Sequence, residues 1–356
     1  MAKRRHDRRH QRQPGRACGA ARRGGCGECA AAPAAVPLWG LQRVRVGRSQ
    51  VGQRLSPCES LSKPQHHHLT HQKTVMYRIT DPHTPDLGDR IRQAVEACLA
   101  QYPDSSAYAL IDPTLVADWG ALLWQAAQDQ PDQVQSVYQD TPLAELEACS
   151  LFLARVARKD LEQLLERGQA GPVLSFVQTT LSLEQLRQHL ACFARARTPD
   201  GKWLLARWGC TVVAPVLVKA LTPAQKSRFL GGFAAWYLIN RKGQLDIVNG
   251  SMDAPSAAAD LETEGMLEYG YAVDDDALAL VADASEADVL LHALGTQQPH
   301  ALGDRPASML HSMARQVLAR MREAGIPEGV ARLELLARAL QQPSAQASRA
   351  LIQGHP

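Results

Sequence analysis

Between Asp86 and Pro343 apolar residues recur at helical spacing in some stretches and crowd into short runs in others, with turn residues marking each change. Leu87, Ile91, Val95, Cys98 and Leu99 share one helical face and predict a helix over Asp89–Gln101, broken by Pro103-Asp104-Ser105-Ser106. The run Ala107–Ile111 reads as a buried strand. Asp112-Pro113 supplies a capping carboxylate and a first-turn proline, and the helix that follows is expected to bury Leu115, Trp119, Leu122, Leu123 and Ala126. Val134–Tyr138 and Ser150–Val156 suit strands, Asp160–Gln169 a short helix closed by Gly171, and Pro172–Thr179 another strand. Ser182-Leu-Glu-Gln185 spells a capping box that opens a helix through Leu190. Thr198-Pro199-Asp200-Gly201 between Phe193–Arg197 and Lys202–Trp208 predicts a hairpin. Val212–Leu221 is apolar on most sides and predicts a buried helix. Thr222-Pro-Ala-Gln225 is a second capping box whose helix ends at Gly231-Gly232, and Asn240-Arg-Lys-Gly243 joins Trp236–Ile239 to Gln244–Val248 as a second hairpin.

Strands that alternate with helices, together with two hairpins, predict an α/β fold with a mixed sheet and flanking helices over residues 76–250. The polar stretch Asn249–Ala259 marks a boundary, and residues 251–356 read as a small C-terminal helical bundle. Its expected pieces are Asp276–Ala282 and a separate Ser285–Leu294, opened by Ser285 and Asp288 as an approximate capping box. A stripe of Met309, Leu310, Met313, Val317, Leu318 and Met321 follows, ended by Gly325. A last helix from Pro327 is expected to turn Val330, Leu333, Leu336 and Leu340 inward. A methionine stripe is ordinarily core, although it can also line an adaptable binding groove.

Charge separates the head from the rest. Residues 1–75 hold fifteen Lys/Arg against three acidic residues, leaving 24 basic and 33 acidic residues for the body. The acidic body gives no reason to expect nucleic-acid binding. The head has little apolar periodicity and is expected to be a disordered basic segment. A nucleic-acid tail, a zinc site on Cys26 and Cys29 with His66, His67, His68 or His71, and a transit peptide compete there with the plainer reading that the chain proper begins at Met76. The gap from Cys29 to His66 is too long for a compact finger. Cys98, Cys149, Cys192 and Cys210 stand isolated, which suits reduced thiols of a cytoplasmic protein. No apolar run approaches the roughly 18 residues of a membrane span.

Local catalytic motifs are missing from the sequence: no phosphate loop, no dinucleotide fingerprint, no nucleophile elbow, no paired-histidine zinc motif and no calcium loop. Asp274-Asp275-Asp276 precedes a helix and suits its positive end. The body's histidines, His83, His189, His292, His300, His311 and His355, lack metal-ligand spacing. The chain is therefore expected not to be an enzyme and to need no cofactor or metal; an enzyme of unknown class with a site that is not local in sequence is the alternative.

Two segments carry a resemblance. Tyr108-Ala-Leu-Ile-Asp112-Pro113 is an apolar strand that ends in an acid before a helix, and Leu204–Leu245 reads LLARWGCTVVAPVLVKALTPAQKSRFLGGFAAWYLINRKGQL. With the weaker stretch between them, their order resembles the domain of unknown function family 4123, the effector adaptors or chaperones of type VI secretion. The similarity covers Ser106 to Val248. It implies an α/β lobe followed by a variable helical region. It also implies a protein that binds a secreted effector and places it on a VgrG-like spike protein, without catalysis, metal or nucleotide. Arg207-Trp208 matches the family pattern, but the Asp-Pro-Arg that usually follows is replaced by Cys210-Thr211-Val212. A buried ion pair at that turn would here give way to apolar packing.

Trp and Tyr are favoured anchors of protein interfaces. Arg207, Trp208, Trp236, Tyr237 and Met313 are accordingly the candidate partner-binding residues, with Trp203 and Phe233 assigned to the core. The C-terminal helices are the expected place for an effector-specific groove.

Overall fold

The computed structural model describes residues 41–43, 78–116, 118–252 and 266–342, with positions 350, 352 and 354. Of the basic head it describes only β1 (Leu41–Arg43); the remaining head residues, including the cysteine and histidine zinc candidates, lie outside the described residues. The body runs α1 (Leu87–Gln101), β2 (Ser106–Ile111), α2 (Trp119–Asp129), β3 (Val134–Ser136), β4 (Phe152–Arg155), α3 (Leu161–Gly168), β5 (Leu174–Thr179) and α4 (Leu183–Ala191). It continues with β6 (Arg195–Arg197), β7 (Trp203–Ala206), α5 (Ala214–Ala220), α6 (Pro223–Phe229), β8 (Phe233–Ile239) and β9 (Leu245–Asn249). After the polar stretch come β10 (Met266–Leu267), β11 (Gly270–Ala272), α7 (Asp275–Gln297), α8 (Ala307–Glu323) and α9 (Val330–Leu340).

Six strands in the order β3-β4-β2-β5-β8-β9 form the main sheet, and every neighbouring pair in it is antiparallel. The mixed character sits in a second sheet, β1-β7-β6-β11-β10, where β11 runs parallel to β6. Successive side chains of a strand point to opposite faces, and the main sheet is buried on both. Tyr108 and Leu110 of β2, Val177 of β5 and Trp236 and Leu238 of β8 enter one core with α4, α5 and α6. Their neighbours Ala109, Ile111, Phe176, Tyr237 and Ile239 enter the other, with α1, α2 and α3. The lobe is thus a three-layer α/β structure, as the alternation of elements predicts.

Local sequence chemistry places most of these elements. Ser182 and Thr222 each accept from the backbone N–H three residues on, and Gln185 and Gln225 reach back to the cap backbones, so both predicted capping boxes form. Gly201 and Gly243 take φ of 78° and 66° in the two predicted hairpin turns, a backbone that glycine adopts freely.

The bundle differs from expectation in two places. One continuous α7 replaces the two helices predicted over Asp276–Leu294. Ser285, read as a cap, lies inside it and donates its hydroxyl to the Val281 carbonyl one turn back, a bond that lets serine stay within a helix. Val330, predicted inward, is 71% exposed because it stands at the start of α9, while Leu336 and Leu340 are buried. In the lobe Leu122 likewise faces outward, and Trp124 packs against the core instead. The β10–β11 hairpin was not predicted; it is very short, and Tyr269 in its turn takes a φ of 54°.

Glu286 of α7 binds the three helices together. Its two carboxylate oxygens accept from Arg322 of α8 at 2.7 Å and Arg332 of α9 at 2.5 Å. The core that the three helices share includes Leu291, Leu294, Leu318, Met321, Leu335 and Leu336.

Candidate functional site

Candidate surface anchors turn out to be interior. Trp208, Trp236 and Tyr237 are each no more than 1% exposed, and Arg207 is 4% exposed. Trp208 stacks on Phe229 with ring centroids 4.0 Å apart and donates its indole N–H to the Phe193 carbonyl at 2.7 Å. Trp236 donates to the Ser175 hydroxyl, and the Tyr237 hydroxyl lies 3.0 Å from the Gln178 side-chain oxygen. The surface placement of these residues is corrected: their polar tips are satisfied inside the lobe, and a large ring whose single donor is matched loses nothing by burial. Phe233 is core as expected, whereas Trp203 is half-buried under the Arg195 guanidinium, 4.2 Å from the ring centre. Met313 is partly buried against the bundle core, and its neighbour Met309 is 51% exposed.

The polar centre of the lobe joins the two segments that carry the family resemblance. Asp112 ends β2, and Arg207 follows β7, 95 residues later. Arg207 donates Nε and Nη2 to the same oxygen of Asp112, at 3.0 and 2.5 Å, with both side chains under 9% exposed. Thr114 closes the cluster: its hydroxyl donates to the other Asp112 oxygen and accepts from Arg207, and its backbone N–H donates to that same Asp112 oxygen at 3.2 Å. Asp112 therefore caps the short turn Pro113–Leu115 and pairs with Arg207 at once, as Asp112-Pro113 foretold for the cap.

Gly209 allows this closeness. A Cβ there would stand 2.6 Å from Asp112 Cβ and 2.5 Å from Leu151 Cδ1, so the turn after Arg207 can lie against Asp112 only without a side chain. At the positions that depart from the family pattern, Cys210 and Thr211 are buried, and Thr211 donates its hydroxyl to the Ile239 carbonyl at 2.7 Å. Val212 packs against the core. Apolar packing and one side-chain bond fill the turn, while Arg207 just before it keeps an ion pair.

Burial dominates the electrostatics. It would pull the Arg207 guanidinium down, but the Asp112 carboxylate outweighs it and holds the group above its ordinary value. Burial raises the Tyr138 phenol and the Cys210 thiol, so both stay protonated at neutral pH. Arg207 Nη1 is buried with no hydrogen-bond partner among the described residues. A cavity of about 520 Å3 lies elsewhere, between the segment Arg78–Pro82 and residues Leu302–Leu310. Nor do the described residues include three His, Cys, Asp or Glu side chains grouped to hold a metal ion. None of their helices is long and apolar enough to cross a membrane.

The class is a three-layer α/β domain, continued by a helical bundle, with a buried carboxylate–guanidinium clamp between two distant parts of its chain. Residues 107–228 match the family model described as Domain of unknown function (DUF4123). The match opens in β2 and closes inside α6, so it holds both Asp112 and Arg207, while β8, β9 and the bundle lie beyond it. No curated protein and no solved structure matches the chain.

Proposed function

We propose that this chain is a cytoplasmic bacterial adaptor, or chaperone, that binds a type VI secretion effector and loads it onto a VgrG-like spike protein. One observation carries the reading: the two sequence segments on which the resemblance to such adaptors rests meet in space at Asp112 and Arg207, inside the segment matched by the family model. That pair is built as a clamp. Its donors and acceptors face each other, so its work is to hold β2 against the turn after β7 and so to fix the lobe's shape.

The partner faces belong to what the clamp supports. In this reading α7, α8 and α9 offer a surface that varies with the client. Met309 and Val330, 51% and 71% exposed, mark apolar points on the bundle where a client helix can seat.

The test is affinity capture with the full chain from a lysate of the source cell, read by mass spectrometry. The proposal expects a spike-like protein or a toxin-like protein among the specific partners. Recovery of neither, with the bait folded and both candidates detectable in the lysate, overturns it and moves the enzyme alternative to the front.

A further inference from the structure

Helix α7 belongs to two cores. Val281 packs into the lobe core, whereas Ala287, Leu291 and Leu294, further along the same helix, pack into the bundle core. Ser285 lies at the crossing, 3% exposed, and returns its hydroxyl to the Val281 carbonyl. Such back-bonding within a helix favours bending there.

A second, polar connection joins lobe and bundle. The segment Arg78–Asp86 runs between the β8–β9 hairpin tip and the helices. On the hairpin side, the Asp81 N–H donates to the Arg241 carbonyl at 2.8 Å and the Thr84 N–H to the Gly243 carbonyl at 3.0 Å. On the bundle side, Asp81 accepts from the Ser308 backbone N–H at 3.0 Å and from its hydroxyl. Asp81 thereby caps α8, whose own N-cap residue is Pro306 and offers no side-chain acceptor. Arg241 completes the joint: it grips both oxygens of Asp288 on α7 and donates to the Ile79 carbonyl at 3.1 Å. His311 of α8 stands 3.9 Å from the same carboxylate.

We infer that lobe and bundle form a hinged pair, with α7 flexing at Ser285 and the strap Arg78–Asp86 as the latch that holds the pair closed. Ile79 packs against the bundle core, but the other contacts of the latch are hydrogen bonds or ion pairs, which can be exchanged for water as the joint opens, unlike the apolar packing inside either core. The cavity of about 520 Å3 between strap and bundle is the seam along which the two part. This device does not depend on the client or on the adaptor reading.

Two substitutions open the latch by different means. Arg241→Ala removes the grip on Asp288 and Ile79. Gly243→Ala removes no polar group, but its Cβ would stand 2.1 Å from the Pro82 carbonyl oxygen and so unseats the strap. Gly201→Ala, at a similar φ of 78° in the other hairpin and with only Arg197 Nη2 within 4 Å, controls for turn strain. The readout is hydrogen exchange of the full chain by mass spectrometry. In both latch variants, peptides over 78–86 and 304–312 and the α7 peptide over 282–289 are expected to exchange at least tenfold faster. Peptides over 314–321 and 335–340 should keep wild-type rates, and Gly201→Ala should change none of them. Wild-type rates at 304–312 in both variants overturn the latch. Faster exchange through the whole bundle in both variants overturns the hinge, because the bundle then does not move as a body.

Discussion

Replacing Asp112 by Ala tests the clamp at the centre of the lobe. Arg207 would then keep its charge, since a guanidinium does not deprotonate at accessible pH, on a side chain only 3% exposed. Breaking a buried pair from one side costs about 3–5 kcal/mol, and the lost cap on the Pro113–Leu115 turn adds about 1 kcal/mol. A loss of about 4 kcal/mol lowers the folded-to-unfolded ratio roughly a thousandfold and consumes much of the 5–15 kcal/mol typical of a domain. Urea unfolding followed by tryptophan fluorescence reads the lobe apart from the bundle: of the six tryptophans Trp119, Trp124, Trp203, Trp208 and Trp236 lie in the lobe, Trp39 lies in the head, and α7, α8 and α9 contain none. Replacing both partners, Asp112→Leu with Arg207→Met, is expected to recover most of the loss, because an apolar pair of similar volume has no charge to strand. Stability within about 1 kcal/mol of wild type for Asp112→Ala, or a double variant as unstable as the single one, would refute the clamp.

Further predictions follow from the same structure. Phe229→Ala removes the ring stacked on Trp208 and should cost about 3–5 kcal/mol, while Met309→Ala on the bundle surface should cost under about 0.5 kcal/mol; paired urea titrations read both. Burial lowers the His189 imidazole to about 4. The unfolded chain therefore binds that proton first, and stability is full above about pH 6.5 and falls as pH drops toward 4. The loss at pH 5 from this residue is about 2 kcal/mol; a titration of stability that stays flat between pH 7.5 and 5 would contradict it. Glu286→Gln should lower the helical melt seen by circular dichroism, by about 1–3 kcal/mol in bundle stability, and leave the fluorescence transition of the lobe in place; coincident shifts of both signals would show that lobe and bundle unfold as one.

Local chemistry made much of the lobe legible. Ser182 with Gln185, Thr222 with Gln225, and the glycines at 201 and 243 each fix an element through contacts a few residues apart, and all four appear where the pattern puts them. The order of strands was not legible, because β2 lies between β4 and β5 through pairings that span long loops. Burial of aromatics was misread for a related reason. Trp208 and Trp236 have polar tips that suit an interface, and only tertiary contacts with Phe193 and Ser175 show that those tips are satisfied inside. Asp112 and Arg207 were each visible, one as a cap and one as a family match, but nothing in the sequence says that they touch. The latch was likewise hidden: Asp81 caps a helix that begins more than 200 residues later.

The adaptor reading is tested most directly by reconstitution. The purified full chain is mixed with the effector and the spike protein recovered by capture, and the mixture is passed over a sizing column with light scattering. The account predicts that effector and spike elute together only when this chain is present, and that Asp112→Ala, at a temperature where its lobe is unfolded, abolishes the assembly. Effector and spike that assemble equally well without the chain, or a chain that binds neither in purified form, would contradict it.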